Sequence, residues 1–164
     1  MENTTPEIKF FLNLKKLNTG DRCALKRCAG RPLSEANEKA LVAFYRCEPL
    51  SLHLDELFNV ACFVSLWNPS AYQEKNPLAI EQIMRSILSG SNGTESLQNK
   101  FIRILDVSYG KDGYLIKMLN RYVLMAMKKG YLLDGYALYK DLVNWNNPNK
   151  YVQQKWARAI ASIY

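Results

Sequence analysis

Leu57–Trp67, LFNVACFVSLW, is almost entirely apolar. Leu57, Val60, Ala61, Val64 and Trp67 recur at steps of three and four residues, the spacing of one face of an α-helix. Because the other faces carry few polar groups, the pattern predicts a helix that is covered on several sides, at the centre of the fold. The run is far shorter than the ~18 apolar residues that a membrane-spanning helix needs, so no membrane contact is predicted.

Shorter amphipathic segments flank this stretch and are separated by glycine, proline and asparagine. Gly20 is predicted to end the first helix, Asp21 to cap the second, and Asn76-Pro77 to begin the helix after the central one. No segment shows the two-residue alternation of a half-buried strand. The sequence therefore predicts an all-α fold, a compact bundle of about eight or nine short helices.

The chain has 164 residues, a length that suits a single domain with a sizeable core. We predict one helical domain over residues 1–164, with the loop at 89–94 as the candidate division between two sub-bundles. The first residues, Met1–Thr4, lack the charged start and apolar core of a secretion signal. A soluble, cytoplasmic protein is therefore expected.

Side chains suited to catalysis are scarce. The four cysteines contain no C-x-x-C pair, and His53 is the one histidine, so we predict neither a metal site nor a cofactor. No nucleophile and base stand in a recognisable arrangement, and Asp55-Glu56 is predicted to be a carboxylate pair at a helix start, favoured by the helix dipole. The expectation is a binding protein with no catalytic residues rather than an enzyme.

Positive charge is the strongest functional signal. The chain has 22 Lys and Arg against 15 Asp and Glu, a formal net charge of +7. The excess is concentrated in residues 15–31 and 100–129, which contain few acids. Clustered charge of this kind favours a polyanionic partner, most commonly nucleic acid.

On the predicted helices these cations share faces. Like charges three or four residues apart repel by a few tenths of a kcal/mol, so a helix gains nothing from them unless an anion comes near. We predict that phosphates contact two patches. The first is Arg22, Lys26 and Arg27; the second is Lys100, Arg103, Lys117 and Arg121, extended by Lys128 and Lys129. Most aromatic residues fall on apolar faces, so the sequence predicts no stacking platform for bases.

Three segments together resemble the small subunit of the type I-E CRISPR Cascade surveillance complex, the CasB family. They are GDRCALKRCAG at 20–30, KFIRIL at 100–105, and the C-terminal run in which KDLVNW at 140–145 is followed by KWAR at 155–158. The C-terminal run is the most specific. Two positions depart from the family pattern: Asn120-Arg121 stands where paired arginines are frequent, and Gly135 where a tryptophan follows the turn aspartate.

The resemblance implies an all-helical, non-catalytic protein that acts in antiviral defence. It implies two copies packed head to tail against the backbone and large subunits of the complex. There they would hold the heteroduplex of CRISPR RNA and target DNA, and the displaced DNA strand of the R-loop, through contacts that do not read sequence. Arg27 and Arg121 match basic positions of the family best, whereas Arg158 is expected to pair with acids inside the assembly.

Two other interpretations stay open at this level. A helix-turn-helix regulator also needs basic helices, but it would require one recognition helix with base-reading residues. A helical scaffold that binds only protein would use its charge merely for solubility, as a solvated face.

Overall fold

The computed structural model describes residues 5–49, 52–90, 94–110 and 112–162. These residues form ten α-helices, a 3₁₀ turn at Leu33–Glu35 and no strand, which confirms the all-α prediction. The helices are α1 Pro6–Lys15, α2 Thr19–Arg27, α3 Glu38–Arg46, α4 Leu54–Val64, α5 Ala71–Glu74, α6 Ile80–Gly90, α7 Thr94–Ile104, α8 Tyr114–Lys128, α9 Gly135–Val143 and α10 Tyr151–Ala161. Since α5 is a single turn, nine of those described are of ordinary length. None of them has both the length and the hydropathy that crossing a bilayer requires.

Helix α4 is the central element, as its sequence predicted. Every residue from Leu57 to Val64 is buried, and the helix packs against α2, α8 and α9. The buried apolar side chains form one cluster that includes Phe10 of α1 and Ile160 of α10. The domain organisation over residues 1–164 remains a proposal that this continuous cluster supports.

The first turn of α4 holds two neighbouring loops in place. Asp55 Oδ1 accepts a hydrogen bond from the Leu33 amide at 2.9 Å, and Asp55 Oδ2 accepts from the Tyr109 hydroxyl and from Asn59 Nδ2 at 3.2 Å. Burial and this carboxylate raise the pKa of Tyr109. The Asp55-Glu56 pair is thus at a helix start as predicted, and Asp55 also ties α4 to the 3₁₀ turn at Leu33–Glu35 and to the segment between α7 and α8.

The predicted boundary between α1 and α2 is wrong by a few residues. Asn18, in extended backbone conformation, is the N-cap of α2, and its Oδ1 accepts from the Asp21 amide at 2.8 Å. Gly20 therefore lies inside the first turn of α2 and does not end α1. The Asp21 carboxylate is not a cap; it pairs with the Arg46 guanidinium of α3.

The segment at Asn76-Pro77 does not begin a helix, because α6 starts only at Ile80. The Leu78 amide donates to the Leu132 carbonyl at 2.8 Å, and the Asp134 amide donates to the Leu78 carbonyl at 2.8 Å. This isolated parallel bridge satisfies the backbone groups that a helix would otherwise use.

The predicted loop at 89–94 is shorter than expected. Helix α6 continues to Gly90 and α7 begins at Thr94. Residues 91–93 lie outside the described ranges.

Candidate nucleic-acid interface

Arg103 of α7 and Arg121 of α8, two predicted contact residues, lie in the region where these helices pack together. Phe101 of α7 is edge-on to Tyr122 of α8, with ring centroids 4.7 Å apart. Burial raises the pKa of the Tyr122 phenol, and the charges of Arg121 and Arg103 act in the opposite direction. Both guanidinium groups are therefore within electrostatic range of one hydroxyl, although 18 positions separate them in the chain.

The remaining residues of the second patch lie on exposed surface. Lys117 and Arg121 are one turn apart on α8, and Lys128 lies in its last turn. Lys100 is exposed on α7, one turn before Arg103. The structure thus brings the α7 and α8 cations onto adjoining helices, as the predicted patch requires.

The loop after α2 lies directly on α8. Gly30 has a φ of 86°, and a Cβ atom there would lie 2.9 Å from Cγ of Asn120. Two residues later, Pro32 Cδ is 3.0 Å from the position that a Cβ of Gly113 would occupy. Since position 30 requires a left-handed backbone and leaves no room for a side chain, glycine suits this close approach.

Sequence reasoning did not select Arg31 as a contact residue. It lies between Gly30 and Pro32, so both contacts of the loop hold its backbone beside the first two turns of α8. Its side chain is exposed. The available signal was its place at the end of the basic segment 15–31, directly before a proline, which favours an extended backbone at the residue before it.

The first predicted patch is spread around α2. Arg22 is half-buried and lines a narrow groove with Lys15, Trp67 and Tyr72. Arg27 is exposed and lines a separate, open groove at the start of α3. Arg22 and Arg27 are five residues apart, which corresponds to about 140° around a helix. They therefore lie on different sides of α2. Lys26 is exposed and lines neither groove.

Among the described residues, no acid neutralises a predicted contact residue. None of the nine residues of the two patches takes part in an ion pair within the described ranges. The acid closest in sequence to the first patch, Asp21, is paired with Arg46 instead. We call the exposed cations on α2, its following loop, α7 and α8 the cationic surface: Arg27, Arg31, Arg103, Lys117 and Arg121.

The groups that resemble catalytic side chains are either buried or lack the partners for chemistry. Burial, with a smaller effect of Asp21, raises the pKa of Cys47 to about 12, so its thiol stays protonated. His53 is exposed and its Nδ1 is 3.6 Å from Glu56 Oε2. Among the described residues, no three His, Cys, Asp or Glu side chains are grouped in a way that could hold a metal ion.

Residues 21–159 match the family model of CRISPR-associated protein Cse2. The chain belongs to this family. The match confirms the resemblance that the three sequence segments indicated. It covers α2 to most of α10, and therefore every predicted contact residue.

Two solved structures share the fold of this Cse2-family chain. The crystal structure of M. ruber CasB superposes with a TM-score of 0.75 at 20% identity, covering 98% of this chain and 95% of that one. A chain of a CRISPR RNA-guided surveillance complex gives a TM-score of 0.73 at 18% identity, covering 96% and 92%. No curated protein matches the sequence.

The C-terminal run, the most specific part of the resemblance, connects helices within the fold. Asp141 of KDLVNW accepts from Lys155 Nζ at 2.6 Å and from Trp156 Nε1 at 2.9 Å, and both donors belong to KWAR. Glu81 of α6 lies 3.9 Å from the same ammonium. We call Glu81, Asp141 and Lys155 the acid cluster. It joins α6, α9 and α10, so these residues stabilise the Cse2 fold and leave Lys155 no free charge for an outside anion.

Proposed function

We propose that the chain is a non-catalytic small subunit of a CRISPR RNA-guided surveillance complex. In this role it binds nucleic-acid phosphates without reading sequence, and so stabilises the guide–target heteroduplex and the displaced DNA strand. Its partners are CRISPR RNA, target DNA, the backbone and large subunits, and a second copy of itself. The family membership and the fold support the place in the complex.

The single observation that carries the nucleic-acid role is the cationic surface. Five arginine and lysine side chains from distant parts of the sequence lie on adjoining elements, exposed and with no carboxylate of the described residues in ion-pair range. Their mutual repulsion is unfavourable in the free protein. A sugar–phosphate chain relieves that repulsion and releases its own counterions on binding, which favours association.

The arrangement favours phosphate contact over base reading. The cations are distributed over α2, its following loop, α7 and α8, whereas a helix-turn-helix regulator concentrates its contacts on one recognition helix. In an RNA-guided complex, base pairing with the guide supplies sequence specificity. A protein subunit then needs only positive charges whose spacing matches that of the phosphates in the nucleic acid.

Salt dependence tests the phosphate contacts directly. If about six phosphates of a single strand are engaged, the logarithm of the binding constant should fall against the logarithm of salt concentration with a slope around −4. Binding of single-stranded DNA, measured from low to physiological salt, gives this slope. Arg103→Ala and Arg121→Ala should each reduce its magnitude by about 0.7. A flat response, or strong preference for one sequence, would contradict the proposal.

Charge reversal separates this role from that of a protein-only scaffold. Arg27→Glu with Arg121→Glu should abolish binding to DNA while co-purification with the other subunits and guide RNA continues. Lys16→Glu is the matched control, because Lys16 is also exposed but lies at the C-cap of α1, which carries no residue of the cationic surface. If the double reversal leaves DNA binding unchanged, the scaffold interpretation is the correct one.

A further inference from the structure

A small cleft that shares no residue with the cationic surface combines aromatic rings with a cation. Its lining residues are Phe11, Lys15, Val64, Tyr72, Pro77, Asp134, Gly135 and Tyr136. We call it the aromatic cleft. The Leu78–Leu133 bridge brings the segments of Pro77 and Asp134 together, so the cleft depends on contacts that are distant in sequence.

Gly135 lets α9 pack closely against α4 and α1 beside the cleft. A Cβ atom at this position would lie 2.5 Å from Val64 Cγ2 and 3.2 Å from Phe11 Cε1. Any larger residue would therefore have to displace α1 or α4, and with them the side chains that line the cleft. The cleft has a volume of about 120 Å³, well below the roughly 300–1,000 Å³ of a pocket for a whole ligand. The space suits one planar group.

The rings are held firmly by the fold. The Tyr72 hydroxyl donates to the Leu133 carbonyl at 3.0 Å, and burial raises its pKa, so it remains a neutral donor. Tyr136 packs edge-on against Phe11, with centroids 6.2 Å apart. Immobile rings lose little conformational entropy when a base stacks on them.

Two lysine ammonium groups lie over rings of the cleft. Lys15 Nζ lies 4.9 Å from the centroid of Tyr72, and Lys140 Nζ lies 4.5 Å from that of Tyr136. Lys15 also lines the narrow groove that continues the cleft to Arg22. The side chains of Lys15 and Lys140 are exposed and flexible, so their ammonium groups can leave the rings and move to phosphates when a base enters.

We propose that the aromatic cleft receives one unpaired nucleobase of a bound single strand, with Lys15 and Arg22 contacting the adjoining phosphates. The proposal rests on the proposed function and adds a stacking site to it. It also accounts for Arg22, which the fold separates from Arg27 and places beside Lys15. Base–aromatic stacking tolerates any base, so this contact is compatible with binding that does not read sequence.

The test compares oligothymidylate with an abasic oligomer of the same length, which has the same phosphates but no bases. The full-length protein should bind oligothymidylate roughly tenfold more tightly. Tyr136→Leu should remove this difference and leave affinity for the abasic oligomer unchanged, whereas Tyr136→Phe, which retains the ring, should preserve it. Lys15→Ala should weaken binding of both oligomers more than Lys16→Ala, its exposed neighbour outside the cleft.

A second readout needs no variant. One 2-aminopurine within the oligothymidylate should lose fluorescence at saturation, as a stacked base does. Unchanged fluorescence, or equal affinity for the two oligomers with a normal salt slope, would overturn the proposal that a base stacks in the aromatic cleft. Neither result would contradict the phosphate-binding function. If neither oligomer binds while the chain still assembles with its partner subunits, both proposals are overturned.

Discussion

Lysine and arginine occur in two opposite settings in this fold. In the acid cluster, Lys155 lies between two carboxylates that are 4% and 5% exposed as residues, and its charge is satisfied within the molecule. On the cationic surface, five side chains of the same types are exposed, and no acid in the described part of the chain is in ion-pair range of them. The difference teaches that a basic residue indicates an outside partner only when the tertiary structure places no carboxylate beside it.

Removing the acceptor of the acid cluster should have the largest effect. Asp141→Ala leaves the Lys155 ammonium and the Trp156 indole N–H without their partner. Breaking a buried pair costs about 3–5 kcal/mol, and because the Lys155 side chain is 42% exposed we expect the low end, about 3 kcal/mol. For a chain of this size the melting temperature should fall by roughly 10 °C.

Asp106→Ala serves as the control for this change. Asp106 is exposed at the end of α7 and forms no ion pair within the described ranges. Its removal should leave the melting temperature nearly unchanged. Equal melting temperatures for the two variants would show that the cluster contributes no net stability.

A substitution at Gly30 should disturb the cationic surface without removing any charge. Gly30→Ala forces a side chain into a left-handed backbone position and against Asn120, at a cost of about 2 kcal/mol. Because the loop must shift away from α8, binding of single-stranded DNA should weaken as well. Thermal melting and the binding assay at low salt measure the two effects.

Gly90→Ala is the matched glycine control. A Cβ atom at Gly90 would meet nothing within 4 Å, and the residue ends α6 with no positive φ. Neither stability nor DNA binding should fall. If Gly30→Ala retains full DNA affinity despite its lower stability, the loop on α8 is not part of the interface.

The pH dependence of stability should show the smallest effect. Burial raises the pKa of Glu81 above its ordinary value of 4.5, and Asp141 adds to the rise while Lys155 opposes it. Since the folded state then binds the proton more tightly than the unfolded state, this carboxyl's contribution to stability is fully present below about pH 4.5 and is lost as pH rises through the folded pKa.

Glu81→Gln isolates that contribution. The amide does not titrate. The melting temperature of the variant should therefore increase relative to that of the original chain as the pH rises from about 4.5 towards neutrality. Melting curves at several pH values measure it. A difference that stays constant across this range would show that Glu81 titrates alike in the folded and unfolded chain.

Local sequence signals predicted much of the helical structure but not its boundaries. The apolar spacing of Leu57–Val64 correctly identified a central helix, because burial on all sides requires apolar residues on all sides. The boundary at Gly20 was wrong because Asn18 provides an earlier cap. At Asn76-Pro77 the backbone of Leu78 bonds to residues more than fifty positions away, which no local pattern can reveal.

The candidate site was predictable in its chemistry and less so in its geometry. Charge spacing selected Arg103 and Arg121, and in the structure the charges of both act on the Tyr122 hydroxyl. Charge spacing did not select Arg31, because the position of Arg31 beside α8 depends on the tertiary contact between Gly30 and Asn120. Because most aromatic residues fall on apolar faces, the sequence predicted no stacking platform and did not single out Tyr72 or Tyr136, which both line a cleft.

The sequence by itself determined the helical class, the central position of α4, the absence of an evident catalytic arrangement and the excess of positive charge, since these follow from composition and from periods of three and four residues. Only the tertiary structure decided which cations remain unpaired, which of them adjoin, and which rings are accessible. Those properties depend on distances between helices far apart in the chain, and electrostatic and packing energies depend on such distances rather than on sequence order.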